Sequence, residues 1–551
     1  SGDAHFASGG SLAMLNLSGE PANFLSLYDP IISANGDIVF GDYTGVALKV
    51  EARGSITGGD IRITGADTSG SIPTTDPHFT ELTTRPSLIL QAGKTTLDNT
   101  PNVPQLDIGS TDFISPSGVP SLPGNIQVGY INTSSIDNGD AGAVMLDASG
   151  NIITREITTT FNSFRGDNGN GGNVFINAMG HVNTDVISTE SGNFGISQVD
   201  IGNGGNVVVN ATGNVTISSV DSSGANMGGL SCLSGRCNGG SITINAANTI
   251  TIGSVISKGS NREGFGGLIQ INSSGGAINT TGFLTARGKV SGDITLDAFG
   301  DITLGNINFQ LADSSIIQSE GGDITLISNN GAITTKGILE GSGTNWFQGA
   351  GNISLRASRD INTSGIVTSS ILQKGGDIEL ISTNGAIDSG GLNAAPREGI
   401  GGSIVLKAAN NITVSYISTE GAYGGGNIIV SSIDGNINVA SLDAGANYGR
   451  GNIGYENIHS GSIFINTAGN ITTGDISSNA DHDGGAITLI SGGAIDTTGG
   501  ILNAAGGDNG GNITLQAPGN ISTGEITTFI SGFSGNSGNI TITSENANID
   551  T

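Results

Sequence analysis

Aliphatic and polar residues alternate in short segments along this chain, and the segments are separated by glycine or proline. The segment Ile513–Ala517 reads Ile-Thr-Leu-Gln-Ala, and its two-residue period predicts a half-buried β-strand. Pro518-Gly519 then requires a corner, and further short strands are predicted at Ile521 and Ile526. Three short strands joined by two tight corners and a variable loop predict one turn of a β-helix.

A Gly-Gly-(Asn/Asp/Ser)-(Ile/Val) motif precedes such strands and recurs about every 28 residues, a period typical of stacked structural repeats. Its clearest copies begin at Gly171, Gly204, Gly239, Gly321, Gly401 and Gly510. Units of this kind cannot bury their apolar face alone, so they stack on one another. The Asn or Asp after the glycine pair is expected to hydrogen-bond its own turn. Asparagines stacked in successive coils are expected to form an amide ladder.

From Ile242 onward the coils alternate between two forms. One form has 8 residues between isoleucines, as from Ile353 to Ile361, and the other has 9, as from Ile378 to Ile387. The repeat is therefore a pair of coils, about 54 residues long. The whole pattern predicts an all-β solenoid, a parallel β-helix of roughly 20 coils.

Two regions of the chain differ in regularity. Residues 1–130 keep strand signals, but Pro-containing stretches at 73–86 and 101–123 interrupt them. We interpret these stretches as insertion loops or as a transition between two types of coil. Residues 131–551 are predicted to form a regular β-helix of paired coils. The sequence stops midway through a coil, so we expect a fragment of a longer protein or an end covered by another copy.

Composition narrows the range of functions. The 551 residues exceed the usual size of a single-core domain, which a one-dimensional stack of coils accommodates. The net charge is −28, with 19 basic and 47 acidic residues, so no nucleic-acid partner is expected. We interpret the charge as a source of solubility, and calcium held between acidic loops is the alternative. Tandem calcium-binding nonapeptide repeats are absent from the sequence, so no cofactor is predicted.

Cysteine usage and the N-terminus bear on the compartment. Cys232 and Cys237 lie together in a Gly/Ser/Asn-rich segment, without the second pair of ligands that a zinc site needs. We predict a loop-closing disulfide, which fits an oxidising compartment; two free thiols are the alternative. The chain begins at Ser1 without a charged-plus-apolar leader, so any secretion signal is expected to be removed or to lie outside the sequence.

Few residues are candidates for chemistry. The five histidines are scattered, and Asp481-His482-Asp483 is the one arrangement that resembles a metal site. Because it lies in an Asn/Asp/Gly loop, we interpret it as a solvated turn and predict no metal site. Trp346 and Phe347 could stack on a sugar ring, although pinning their loop onto the coils explains them as well.

Polysaccharide-degrading enzymes need carboxylates, with basic partners, on one face of neighbouring coils. Asp377 with Glu379, and Asp293 with Asp323, are the candidates by stacking. The three aspartates among them occupy the recurring position after the glycine pair, where a structural role at the corner accounts for them without catalysis. Basic partners are also few. We therefore predict no catalytic residue and no enzymatic activity. A polysaccharide lyase or hydrolase is the alternative.

The N-terminal sequence carries a family resemblance. The segment 27–32 reads LYDPII, the segment 36–45 reads GDIVFGDYTG, and Gly-Asn-Ile-Thr coils follow. Together they resemble the filamentous-haemagglutinin-like exoproteins of cyanobacteria. The resemblance implies a right-handed parallel β-helix, two-partner secretion through an outer-membrane barrel, and a place at the cell surface or outside the cell. The family's secretion domain carries an Asn-Pro-Asn-Gly motif that this chain lacks, so we expect the chain to begin after that domain.

These observations predict a non-enzymatic extracellular protein, either an adhesin or the shaft of a surface fibre. The loops around Cys232, Trp346 and Tyr448 are the expected contacts with surface glycans or other cells. The outer-membrane secretion barrel, and other copies packed end to end or side by side in a filament, are further expected partners. A β-helix that binds or degrades polysaccharide is the alternative.

Overall fold

The chain folds into two compact units, Ser1–Gly276 and Ala277–Thr551. The computed structural model describes residues 5–26, 31–99, 123–136, 139–163, 169–193, 202–225, 237–260, 264–307, 321–343, 349–446, 458–532 and 535–551. Over these ranges it contains 49 β-strands and one six-residue α-helix. None of the helical structure there has the length and apolar character that a membrane span requires. The expected change of coil type at residue 130 is a different boundary and stays a prediction.

In the first unit, each regular coil contributes one strand to sheet 1 and one or two strands to sheet 2, and three coils add a short strand to sheet 3. Sheet 1 consists of Phe6–Ser8, Ile31–Ala34, Leu48–Ala52, Leu88–Ala92, Val144–Ala148, Val174–Ala178, Val207–Ala211, Ile242–Ala246 and Ile269–Ser273. Sheet 2 consists of Leu12–Ala13, Phe24–Ser26, Ile38–Val39, Tyr43–Val46, Ile56–Thr57, Ile61–Gly65, Ile126–Gln127, Ile131–Asn132, Ile152–Ile153, Glu156–Thr158, Val182–Ser188, Val215–Asp221 and Ile250–Ile256. Sheet 3 consists of Ser135–Ile136, Phe161–Ser163 and Ser191–Asn193.

The second unit repeats sheets 1 and 2. Its sheet 1 strands are Ile294–Ala298, Ile324–Ser328, Ile353–Ala357, Ile378–Ser382, Ile404–Ala408, Ile428–Ser432, Ile463–Thr467, Ile487–Ser491, Ile513–Ala517 and Ile540–Ser544. Its sheet 2 strands are Ile278–Thr285, Ile302–Ile307, Ile333–Thr335, Leu339–Glu340, Ile361–Val367, Ile387–Asn393, Ile412–Ser418, Ile437–Asp443, Ile471–Ser477, Ile495–Thr497, Leu502–Asn503, Ile521–Thr523, Ile526–Thr527 and Ile549–Asp550.

The strand register stacks side chains of the same kind on one another in successive coils. Val174 pairs with Val207, and Val207 pairs with Ile242, in parallel ladders. The first, third and fifth side chains of such strands point inward, and Ile242 and Ile244 are fully buried. Each buried aliphatic side chain contributes roughly 1.5–3 kcal/mol, so the stack itself supplies the core. The predicted parallel β-helix is confirmed.

The coil interpreted from the sequence is found with its three strands, Ile513–Ala517, Ile521–Thr523 and Ile526–Thr527. In other coils the second and third strands merge. Val215–Asp221 is one seven-residue strand whose first, third and sixth side chains point inward. The two-residue alternation slips within it, so the chain bends there instead of turning a tight corner as predicted.

From Val144 onward the variable loops leave the coil at one place, which we call the loop corner, just before the glycine pair. At one such corner the backbone N–H of Gly205 donates to the Thr189 carbonyl, and the buried Thr189 hydroxyl donates to the Gly205 carbonyl, both at 2.8 Å. Thr419 and Gly426 form the same pair of bonds. The partners lie 16 residues apart in the first case and 7 in the second. Loop length therefore varies while the coil stays fixed.

Buried hydroxyls explain the two coil forms of the second unit. At the loop corner one form buries Thr368, Thr419 and Ser478, and the other buries Ala394, Ala444 and Ala504. The alanine-ending coils carry a buried serine at the opposite corner, between sheets 1 and 2: Ser382, Ser432 and Ser491. Each of these serines donates to a backbone carbonyl of the preceding coil. The hydroxyl thus alternates between the two corners from Thr368 to Ala444, while the coil that ends at Ser478 also buries Thr467 at the opposite corner.

An insertion covers the outer face of sheet 1 in the first unit. It includes the Pro-containing stretch 73–86 and the α-helix Phe79–Thr84. Its apolar residues share a buried cluster with residues of the coils: Ile72 and Leu82 pack with Ile31, Ala47 and Ile89. Strand Leu48–Ala52 is therefore buried on both faces. The other Pro-containing stretch, 101–123, lies outside the described residues except for Pro123.

A buried ion cluster anchors this insertion to the coils. Lys49 points outward from sheet 1, and its Nζ lies 2.7 Å from Asp76 Oδ2 and 2.9 Å from Asp98 Oδ2. Asn99 Nδ2 donates to Glu51 at 2.7 Å and to Asp76 at 2.8 Å. Burial alone would raise the pKa of Asp76, but contacts with His78, Lys49 and Asn99 hold that pKa well below its ordinary value. The charges of Lys49 and Asp76 are therefore compensated inside the protein.

Candidate functional site: an asparagine-lined groove

Glycines form the floor of a groove at the loop corner of the first unit. The groove has a volume of about 370 Å³ and crosses successive coils. Its floor is formed by Gly171, Gly204, Gly239 and Gly240. A Cβ on Gly171 or Gly204 would come within 3.0 Å of the carbonyl oxygen of Thr189 or Ser222. Larger residues do not fit there, so a ligand approaching the floor would meet the backbone.

Two rows of polar residues flank this floor. Row 1 consists of Asp140, Asn170, Asn203 and Asn238, and row 2 consists of Asn173, Asn206 and Ser241. In both rows a side-chain Oδ1 accepts a hydrogen bond from the backbone N–H of the next residue in the row. The bond is 2.9 Å from Asn203 N to Asn170 Oδ1, and 2.8 Å from Asn206 N to Asn173 Oδ1. Each of these oxygens bridges two coils, so the predicted bond to its own turn is wrong for these residues.

The amide ladder expected in the glycine motif lies instead on the outer face of sheet 1. There Asn177, Asn210, Asn245 and Asn272 stack in register, and each Nδ2 donates to the preceding Oδ1 at 2.8 Å. This ladder lines a second groove of about 450 Å³ together with alanines and Met179. A row of amides that bond one another has fewer donors left for a ligand than rows 1 and 2.

The carboxamides of rows 1 and 2 present hydrogen-bond donors to the groove. Each Asn has two N–H donors on Nδ2, and its orientation is fixed because Oδ1 caps the next coil. Within the described residues, the Nδ2 groups of Asn173, Asn203 and Asn206 donate to no protein acceptor. The groove can therefore offer oriented N–H donors to a ligand rich in oxygen.

The two ends of the groove differ in character. At one end Arg85 Nη2 forms a partly exposed ion pair with Asp140 Oδ2 at 3.1 Å. Beyond the other end, in the next coil, Phe265 continues row 1 because its N–H donates to Asn238 Oδ1 at 2.8 Å, and the residue is 48% exposed. The groove thus runs from a compensated charge pair to an exposed aromatic ring.

The aspartates considered as catalytic candidates accept backbone hydrogen bonds between coils, as the residues of rows 1 and 2 do. Asp293 accepts from the backbone N–H of Asp323 at 3.0 Å, and Asp377 accepts from that of Ser403 at 2.8 Å. Glu379 forms a surface ion pair with Arg356 at 2.7 Å. Each of these carboxylates therefore has a contact between coils.

The sequence Asp481-His482-Asp483 does not converge on one point. His482 Nδ1 lies 2.9 Å from Asp508 of the next coil, and Asp483 lies 3.0 Å from His459 Nδ1 of the preceding coil. In the part of the chain that the structure describes, no three His, Cys, Asp or Glu side chains form a group that could hold a metal ion. Calcium held between acidic loops stays a hypothesis.

Several predicted contact residues fall outside the described ranges. Cys237 is buried and disulfide-bonded, but Cys232 lies outside the described residues, so their pairing stays a prediction. Trp346, Phe347 and Tyr448 also lie outside the described residues.

The sequence analysis missed a carboxyl pair at the loop corner. Glu190 follows Thr189, and its carboxyl group hydrogen-bonds that of Asp221 in the next coil. Burial first, and then the bond to Asp221 and its charge, raise the pKa of Glu190 to about 8. Glu420 follows Thr419 in the same way, and the Thr419 N–H bonds the Asp443 carbonyl one coil on. The Thr-Glu dipeptide was the only sign of this pair in the sequence. The strand register, which places Asp221 beside Glu190, could not be inferred from it.

Replacing Glu190 by glutamine is expected to stabilise the first unit in neutral and mildly alkaline solution. A carboxyl whose folded pKa lies above its unfolded value binds its proton more tightly when folded. Wild-type stability therefore falls as pH rises from about 4.5 towards about 8. Glu190→Gln keeps the uncharged form, so its advantage in free energy of unfolding should grow over this range, by on the order of 1–3 kcal/mol.

Thermal unfolding of both proteins across this pH range measures the effect. Glu156→Gln, in the same unit but outside the pair, is the control. Identical pH profiles for wild type and Glu190→Gln would show that folding does not raise the pKa of Glu190.

Comparison with known proteins finds no match: no protein-family model, no curated protein and no solved structure is similar to this chain. The resemblance to filamentous-haemagglutinin-like exoproteins therefore stays a hypothesis.

Proposed function

We propose that this protein is a non-enzymatic structural and adhesive protein of the cell surface or the extracellular space. The observation that supports this most is the loop corner. From Val144 onward, variation in length is concentrated there, outside a fixed hydrogen-bonded coil, and in the first unit it adjoins a polar groove. A fixed stack with variable loops on one side suits repeated contacts with a surface, because binding residues are commonly placed on loops of a rigid scaffold.

Surface glycans or other cells are the proposed targets, and further copies of the chain are proposed neighbours in a filament. Secretion through an outer-membrane barrel remains part of the proposal, because it follows from the sequence resemblance. The net charge of −28 disfavours a nucleic-acid partner.

Attachment of the purified full chain tests this function. Beads coated with it are expected to adhere to cells or to polysaccharide-coated surfaces more than uncoated beads do. No reducing ends should appear when the chain is incubated with those polysaccharides. Beads that attach to none of these surfaces would contradict the adhesive role, and enzymatic release of reducing ends would contradict the non-enzymatic one.

A polysaccharide-degrading protein is the second candidate, and the Glu190–Asp221 pair is the observation that favours it. A carboxyl group with a pKa of about 8 is protonated at neutral pH and could act as a general acid. If the incubation releases reducing ends and Glu190→Gln abolishes that release, this candidate replaces the adhesive one.

A further inference from the structure

We propose that the asparagine-lined groove binds an extended chain of a neutral polysaccharide along the stack of coils. This inference rests on the proposed adhesive function and names the site and the ligand class for it. It follows from the donor pattern of rows 1 and 2, the spacing of the coils, and the charge of the lining.

The donor pattern favours a polyhydroxylated ligand. Asn203 and Asn206 stand on one coil, on either side of Gly204, and Asn170 and Asn173 stand on the coil before it. In each row an Oδ1 is bonded to the next coil, so the donors are held in place before a ligand arrives. Fixed donors lose little conformational freedom on binding, which favours affinity.

The coil spacing favours a regular polymer. Parallel strands lie about 4.8 Å apart, so the donors of Asn173 and Asn206 recur at that interval in row 2, and Asn203 lies beside them in row 1. An extended chain of pyranose rings presents hydroxyl and ring oxygens at a similar interval. Successive sugars can therefore follow successive coils, and in a β-1,4-linked chain, whose neighbouring rings are rotated by half a turn relative to one another, like groups meet every second coil.

The lining disfavours a peptide and a polyanion. A peptide strand would need unpaired backbone groups, but the N–H groups of Gly171 and Gly204 already donate to Asn203 and Asn238 carbonyls. A polyanion would need positive charge, but Arg85 is paired with Asp140 and the whole chain carries −28. Uncharged amides facing a glycine floor match a neutral glycan, and the exposed Phe265 ring can stack on a terminal sugar.

Binding of oligosaccharides to the full chain tests the proposal. Cello-oligosaccharides of increasing length serve as the neutral probe and oligogalacturonates as the anionic probe, both measured by calorimetry. The double variant Asn203→Ser with Asn206→Ser removes donors from both rows, and serine already occupies row 2 at Ser241. Asn210→Ser is the matched control, since Asn210 lies on the same coil as Asn206 but in the amide ladder.

We expect the wild-type chain to bind the neutral probe, more tightly as the probe lengthens. The double variant should bind roughly tenfold or more weakly, the effect of two lost hydrogen bonds. Asn210→Ser should bind as the wild type does. Thermal unfolding confirms that all the variants are folded.

Three outcomes would overturn the proposal: no binding of the neutral probe, tighter binding of the anionic probe, or equal loss in the Asn210→Ser control. Bead attachment, measured on the same preparations, distinguishes failure of the groove proposal from failure of the proposed adhesive function. Beads that attach equally well with the double variant leave the adhesive role intact and locate it elsewhere on the chain. Beads that attach in neither form contradict both.

Discussion

Replacing Gly205 by alanine is expected to disrupt the coil stack and to lower the stability of the first unit by about 3 kcal/mol or more. A Cβ on Gly205 would lie within 3.0 Å of the carbonyl oxygen and carbonyl carbon of Gly172 in the preceding coil. Both atoms belong to the backbone, so no side chain can rotate away to make room. Relief requires moving strand Val207–Ala211 away from Val174–Ala178, which breaks the ladder between them.

Hydrogen–deuterium exchange is the appropriate measurement, because long repeat arrays do not unfold in a single two-state step. Amides of Val174–Ala178 and Val207–Ala211 should exchange faster in Gly205→Ala than in the wild type. Gly65→Ala is the control, since a Cβ at Gly65 would have no atom within 4 Å. Equal protection in Gly205→Ala and Gly65→Ala would show that the glycine column tolerates side chains.

Replacing Asp76 by asparagine is expected to loosen the insertion and to destabilise the first unit by about 3 kcal/mol, the range for breaking a buried ion pair. Lys49 and Asp76 have fully buried side chains, 2.7 Å apart. Burial alone would lower the pKa of Lys49, but hydrogen bonds to Asp76 and Asp98 raise it above its ordinary value. Lys49 therefore stays charged and loses a main partner in the variant.

The pH dependence of this cluster has a definite sign. The folded pKa of Asp76 is depressed, so its contribution is present above its unfolded value of about 3.8 and is lost as pH falls below that value. Wild-type protein should lose protection of the insertion in acid, and Asp76→Asn should be less protected already at neutral pH.

Exchange of amides in the helix Phe79–Thr84 measures the loosening. Lys374→Ala removes an exposed pair with Asp377 and should change stability by less than about 1 kcal/mol. An unchanged helix in Asp76→Asn would show that apolar packing alone holds the insertion.

The inward residues of the coils could be predicted because two local rules agree. β-Branched residues favour strands, and the two-residue period identifies the buried face, as at Ile513 and Leu515, which are both fully buried. The glycine pairs were recognisable as corners. The two-coil repeat was predicted from residue spacing, and the alternation of buried Thr419 with buried Ala444 at the loop corner became visible only in the folded structure.

The candidate site could not be predicted in the same way. Asn203 and Asn206 belong to a visible motif, but their partners are 33 residues earlier in the chain. The residues next to each Asn in the sequence suggested that its Oδ1 accepts a hydrogen bond within its own turn. In the folded stack, the Oδ1 instead accepts from a backbone N–H of the neighbouring coil. An insertion at 73–86 was one of the two interpretations of the sequence, but its packing over sheet 1 was not predicted, because Leu82 is buried only by contact with distant strands.

The sequence by itself determined the kind of fold: the period of apolar residues, and glycine where side chains cannot fit, leave a stack of β-coils as the solution. The tertiary structure alone decided which surfaces those coils create. It brought Asn170 and Asn203 into one row, set Glu190 against Asp221, and enclosed Lys49 beneath the insertion. The physical reason is register, since which residues of successive coils lie side by side depends on loop lengths between them and on hydrogen bonds that no local pattern records.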